Sequence, residues 1–176
     1  QDFTEAIKDY TKVIELDPDF AMAYFNRAVV RYKQLDYNMS QAASSQDDFS
    51  AMSMNLKMGK NPTVVRTPAT SDPASASLKD NKRAYEHEMI TRDYDMVIKL
   101  NPGFVYDYFN RGNLRCAQRD FRAAIQDYSE AIQRDPEFAE AYFNRGLARL
   151  SQGDANRGIA DLSKAGELGI INAYSI

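Results

Sequence analysis

The sequence predicts an all-α fold of stacked, antiparallel helix pairs, and three observations carry that prediction. A short aromatic motif recurs: Ala23-Tyr24-Phe25-Asn26-Arg27-Ala28, Asp107-Tyr108-Phe109-Asn110-Arg111-Gly112 and Ala141-Tyr142-Phe143-Asn144-Arg145-Gly146, the last two set 34 residues apart. Pro18, Pro102 and Pro136 keep step with it, each following an apolar run and an Asp or Asn. Two amphipathic runs fit each interval. Neither buries its apolar face alone, so neighbouring intervals must supply the core.

Residues 2–17 read as the second helix of a first unit, so 1–20 holds half a repeat whose partner is expected upstream. The second unit spans 21–104, with one helix over about 21–34 and another near 88–100. The third and fourth units span 105–138 and 139–170, and 171–176 reads as the start of a further or capping helix. Both ends are therefore expected to fall inside a longer array. Proline closes each second helix because it lacks the N–H that the ladder needs and restricts the residue before it. Small residues on the first helices (Ala28, Gly112, Gly146) and on the second (Ala6, Ala124, Gly158) let the axes approach, while aromatics fill the remaining gaps.

A 34-residue unit with an aromatic at its fourth position (Tyr24, Tyr108, Tyr142), a small residue at its eighth, alanine at its twentieth and twenty-seventh (Ala6, Ala124; Ala131, Ala165) and proline at its thirty-second resembles the tetratricopeptide repeat family. Ile90, Val13, Val97 and Ile170 depart from that pattern. The resemblance implies a right-handed α-solenoid of antiparallel helix pairs with a long insertion in one repeat. It also implies a role in binding proteins.

The insertion follows from spacing. Pro18 and Pro102 are 84 residues apart, which places 50 extra residues at about 37–86, in the turn between the two helices of the second unit. Residues 61–81 hold Pro62, Pro68 and Pro73 among Ser, Thr and Ala, a loop or linker composition. Met52, Met54, Leu56 and Met58 alternate with polar residues and could form a hairpin with 63–67. Phe49, Met52 and Leu56 also share a helical face, which favours a helix over about 47–58. These methionines read either as packing on the solenoid or as an adaptable binding surface.

In the family that the sequence resembles, the first helix of each unit lines the concave face, with its second, fifth, sixth and ninth residues turned into the groove. Here the fifth residues are Phe25, Phe109 and Phe143, and the sixth are Asn26, Asn110 and Asn144, with Asn113 at a ninth. An asparagine amide both donates and accepts, so such a ladder can hold a peptide backbone irrespective of its sequence. The arrangement resembles the asparagine ladder of the repeat domain in protein N-acetylglucosamine transferases. The structural alternative is that these asparagines only solvate or cap the groove. A carboxylate clamp for acidic C-termini needs lysine at the fifth position, where this chain has phenylalanine.

Arg27, Arg111 and Arg145 occupy the seventh position, and Asp9, Asp93, Asp127 and Asp161 the twenty-third. An arginine facing an aspartate between helices forms a bidentate, partly buried pair, so these residues read as structural. Arg31, Arg115 and Arg149, one turn further on, read as additional partners or as solvated.

Catalysis finds no anchor. The chain has no nucleophile elbow, no phosphate-cradling glycine loop and no metal-ligand spacing, so no enzyme, cofactor or metal is expected. Cys116, with no histidine in its own unit, reads as a buried, inert thiol, and His87, between Glu86 and Glu88, as a solvated helix start. A net charge of −3 gives no general pull toward nucleic acid. No run reaches the roughly 20 apolar residues of a membrane span, and no signal peptide opens the sequence, so compartment is not legible. The expected function is a protein–protein interaction module that binds an extended peptide or protein segment in the groove. The alternative is an assembly role, with homo-oligomers formed through the insertion or the repeat ends, or with the insertion filling the groove.

Overall fold

The computed structural model describes residues 2–44 and 73–170. Every regular element among them is an α-helix: α1 (Phe3–Leu16), α2 (Ala21–Ser44), α3 (Pro73–Leu100), α4 (Val105–Ala117), α5 (Phe121–Arg134), α6 (Ala139–Ser151) and α7 (Ala155–Glu167). Each helix packs on the next along the chain, most extensively within the pairs α2–α3, α4–α5 and α6–α7. The fold is an α-solenoid.

Two local devices repeat along it. Asp2, Asp120 and Asp154 each cap the helix that follows, their carboxylates accepting from Thr4, Ala123 and Arg157 backbone N–H groups. Between pairs, the backbone N–H groups of Phe20, Phe104 and Phe138 each donate at 3.2 Å to the carbonyl of Asp17, Asn101 and Asp135. The Asp/Asn-Pro-x-Phe stretch thus makes the same turn three times, and the proline in it stops one helix just before the next begins.

Within the pairs α4–α5 and α6–α7 the helices touch through glycine. A Cβ added at Gly112 would lie 2.7 Å from the Tyr128 ring, and one at Gly146 would lie 2.8 Å from Leu162 and 3.0 Å from the Gly158 carbonyl. Tyr128, Leu114, Ile90 and Val97 are the largest apolar side chains sealed inside, joined by Ala28, Ala124, Ala131 and Ala165.

The second unit corrects the sequence reading in three places. Its first helix runs to Ser44 instead of ending near Gln34, and its second begins at Pro73 instead of near Glu88. Residues 73–81, expected as loop, are therefore helical. Pro73 suits this start, since the first helical residue needs no N–H for the ladder. His87 is not a solvated helix start: it lies well inside α3 and is only 7% exposed. The expected helix or hairpin over 47–67 and the expected helix start at 172–174 fall outside the described residues.

Candidate functional site

Helices α2, α4 and α6 carry the recurring motif, and α6 touches α4 directly as well as through α5. The phenylalanines of the motif are not free pendants. Phe25 meets Phe104 edge-on with centroids 5.3 Å apart, and Phe109 meets Phe138 at 4.7 Å. Phe104 and Phe138 both flank Tyr106, at 5.8 and 5.5 Å, so one aromatic run crosses from α2 to the start of α6. Phe25, Phe109 and Phe143 are half-buried. Beside them Tyr106 is 55% exposed and Met22 42%.

The asparagines divide into two sets. Asn144 donates through Nδ2 to Asn113 Oδ1 at 2.8 Å, and the Tyr128 hydroxyl donates to the same oxygen at 2.8 Å. Both lone-pair positions of that oxygen are thereby occupied. Asn26 and Asn110 are half-buried and have no hydrogen-bond partner among the described residues. Glu140 is the one charged residue among the twelve positions expected to line the groove, the second, fifth, sixth and ninth of each of the three first helices.

Between the two helices of each of the pairs α2–α3, α4–α5 and α6–α7, arginines and an aspartate form one device three times over. Arg111 grips Asp127 with two bonds, Nε–Oδ2 at 3.0 Å and Nη2–Oδ1 at 2.6 Å, and Arg115 adds a third at 2.7 Å. Arg27 and Arg31 hold Asp93 in the same way, and Arg145 and Arg149 hold Asp161. Each seventh-position arginine also reaches back to the preceding pair: Arg27 to Thr11 Oγ1 at 3.0 Å, Arg111 to Asp95, and Arg145 to Ser129 Oγ at 3.0 Å. Sequence reasoning missed this second arm. Its signal was a polar residue two positions after each aspartate. Asp9 is exposed and has no ion-pair partner among the described residues.

Arg27, Arg111 and Arg145 also lie over Tyr24, Tyr108 and Tyr142, with 5.4 to 5.9 Å between guanidinium and ring centre. Each therefore joins an ion pair, an inter-pair hydrogen bond and a ring contact.

Neither candidate reactive group sits in a reactive setting. Burial pushes the Cys116 thiol up, and the Tyr128 hydroxyl 3.4 Å from its sulfur only partly offsets that. Burial, reinforced by Arg83, holds His87 below the usual imidazole value, so it is a neutral ring near pH 7. No group of three or more His, Cys, Asp or Glu among the described residues is placed to hold a metal ion. No helix among them is long and apolar enough to cross a membrane.

A family model described as TPR repeat matches residues 1–34 and 112–153, the stretches that build α1, the first part of α2, the end of α4, and all of α5 and α6. Those two stretches of the chain are tetratricopeptide (TPR) repeats. A MamA structure from Desulfovibrio magneticus RS-1 aligns with this TPR chain at a TM-score of 0.62 and 14% identity, covering 95% of this chain and 66% of that one. A MamA RS-1 ArsTM double mutant aligns at 0.63 with the same identity and coverage. That likeness is one of fold, and the TPR chain spans about two thirds of the length of those MamA chains. An Arabidopsis OM64 TPR domain is 27% identical over 54% of this chain and 75% of that one, at a TM-score of 0.46. No curated protein matches.

Proposed function

We propose that this TPR chain is a protein-interaction module that binds an extended, uncharged segment of a partner along the face of α2, α4 and α6. The observation that carries the reading is the pair of uncommitted amides at Asn26 and Asn110, each beside a half-buried phenylalanine of the aromatic run. A partly buried amide with no internal partner gains most from a ligand that supplies one, because the desolvation cost has already been met. The amides would hold a peptide backbone, and Phe25, Tyr106 and Phe109 would receive its apolar side chains. Asn144 keeps its carbonyl oxygen for the same purpose, while Asn113 serves mainly to position it. The near absence of charge selects a partner segment that is apolar or aromatic rather than acidic.

The test is fluorescence polarisation against a library of neutral, extended peptides. Loss of two backbone hydrogen bonds in an Asn26→Ala, Asn110→Ala variant should weaken binding by about tenfold or more. Unchanged affinity in a well-folded double variant would remove the basis of the reading.

A second reading, self-association through the long α2–α3 pair, is supported by exposed Tyr37, Leu78 and Tyr85 on that pair. Sedimentation of the wild type beside a Tyr37→Ser, Tyr85→Ser variant separates it from the first: a dimer lost in the variant supports it, and a monomeric wild type ends it.

A further inference from the structure

Four aspartates are buried in the described residues, and three of them, Asp93, Asp127 and Asp161, each take two arginines. The fourth does not. Asp107 is 0% exposed, and neither carboxyl oxygen has a hydrogen-bond partner. It stands in the first turn of α4 at the third position of its unit, where the sister units have the equally buried Ala23 and Ala141. Arg111, one turn along the same helix, is committed to Asp127 and Asp95. The titratable neighbours that it meets across the joint are Tyr94 of α3 and, around Tyr94, Asp93 of α3 and Tyr32 of α2. None of them offers a positive charge.

We propose that Asp107 makes the joint between α3 and α4 responsive to protons: it seats in its neutral form, and loss of its proton loosens the first turn of α4 from α3. A carboxylate without a partner cannot stay sealed in apolar surroundings. It must either keep its proton or draw water and a cation to itself. Burial pushes this carboxyl up to about 7, with Arg111 opposing the shift. The cation nearest to hand is Arg111 itself, so ionised Asp107 competes with Asp95 for the guanidinium that bridges α4 to α3. The aromatic run crosses the same joint at Phe25–Phe104, so loosening it changes how the two halves of the lining face meet.

The sign follows from linkage. The folded value lies above the unfolded one, so the contribution of Asp107 to stability is fully present below about pH 4. It is lost as pH rises to about 7, by about tenfold in the unfolding equilibrium per pH unit, and changes no further above that. His87, held low by burial, acts in the opposite sense and cancels when variants are compared at one pH.

The experiment is hydrogen exchange of the whole chain at pH 5 and pH 8, with Asp107→Ala and Asp107→Asn beside the wild type and intrinsic rates divided out. The reference is the wild-type-to-variant ratio of protection at pH 5, where folded Asp107 still keeps its proton. The expected result is that this ratio falls by at least tenfold at pH 8 at the α4 first turn and the C-terminal half of α3, with α6 and α7 unchanged. A wild-type-to-variant ratio that is the same at both pH values overturns the proposal. If neither variant folds, the carboxyl carbon of Asp107 is followed by NMR in the wild type: titration near neutrality supports the proposal, and a midpoint below pH 5 overturns it.

Discussion

Arg111 shows how much one side chain is asked to do. Its guanidinium holds Asp127, reaches Asp95 on the preceding pair and lies over the Tyr108 ring. Replacing it with leucine while Asp127 remains strands a carboxylate that is 2% exposed, and breaking a buried pair from one side costs about 3–5 kcal/mol. Urea denaturation of Arg111→Leu should show that loss, with Arg111→Leu, Asp127→Leu recovering most of it. Stability unchanged in the single variant would mean that the pair does not bear on the fold. Gly146 poses the opposite problem of too little space. A methyl group there meets Leu162 and the Gly158 carbonyl at once, so Gly146→Ala should cost about 1–3 kcal/mol by forcing α6 from α7. The seventh- and twenty-third-position register was legible in the sequence, and Arg111 and Asp127 do meet. The backward reach to Thr11, Asp95 and Ser129 was not, because it depends on how successive pairs stack and not on spacing within one. Asp107 had a visible signal, an acid where Ala23 and Ala141 stand, but a charge at a helix start is more often a favourable first-turn residue than a sealed one.

At the scale of elements, three second helices begin at an aspartate cap, a one-residue signal that the sequence reading did not use. Asp120 and Asp154 cap α5 and α7, each preceded by a residue in the left-handed region, Arg119 at φ 63° and Gly153 at φ 87°. Glycine adopts that backbone without strain and arginine does not. Arg119→Gly should therefore raise stability by about 0.5–1 kcal/mol in thermal unfolding; a loss would show that the Arg119 side chain contributes more than its backbone costs. The same position in the second unit is Leu35, followed by Asp36, and there the helix does not stop. Leu35 is buried in the core with Ile90 and Tyr94, and α2 continues alongside a lengthened α3. The turn was expected because the register called for one. Tertiary packing overrode it, which a count of residues between prolines cannot reveal.

At the scale of the molecule, a solenoid of this kind joins rigid pairs through repeated contacts, and its lining face is the sum of what each first helix presents. That face reads as aromatic and amide in character from the sequence alone. What the sequence could not divide is which amides are spent internally: Asn113 and Asn144 bind each other across α4 and α6, while Asn26 and Asn110 do not. Because the face carries almost no charge, affinity for a neutral peptide should change less than about twofold between low and high salt, whereas binding led by charge would fall steeply. Titrations across a salt series check this.

The most direct test of the central claim is a footprint of a bound neutral, extended peptide on the chain by NMR chemical-shift mapping. The account predicts shifts centred on Met22, Asn26, Tyr106 and Asn110, with the outer parts of α3 and α7 undisturbed. A footprint confined to Tyr37, Leu78 and Tyr85 would contradict it and make the long α2–α3 pair, rather than the face of α2, α4 and α6, the working surface of the molecule.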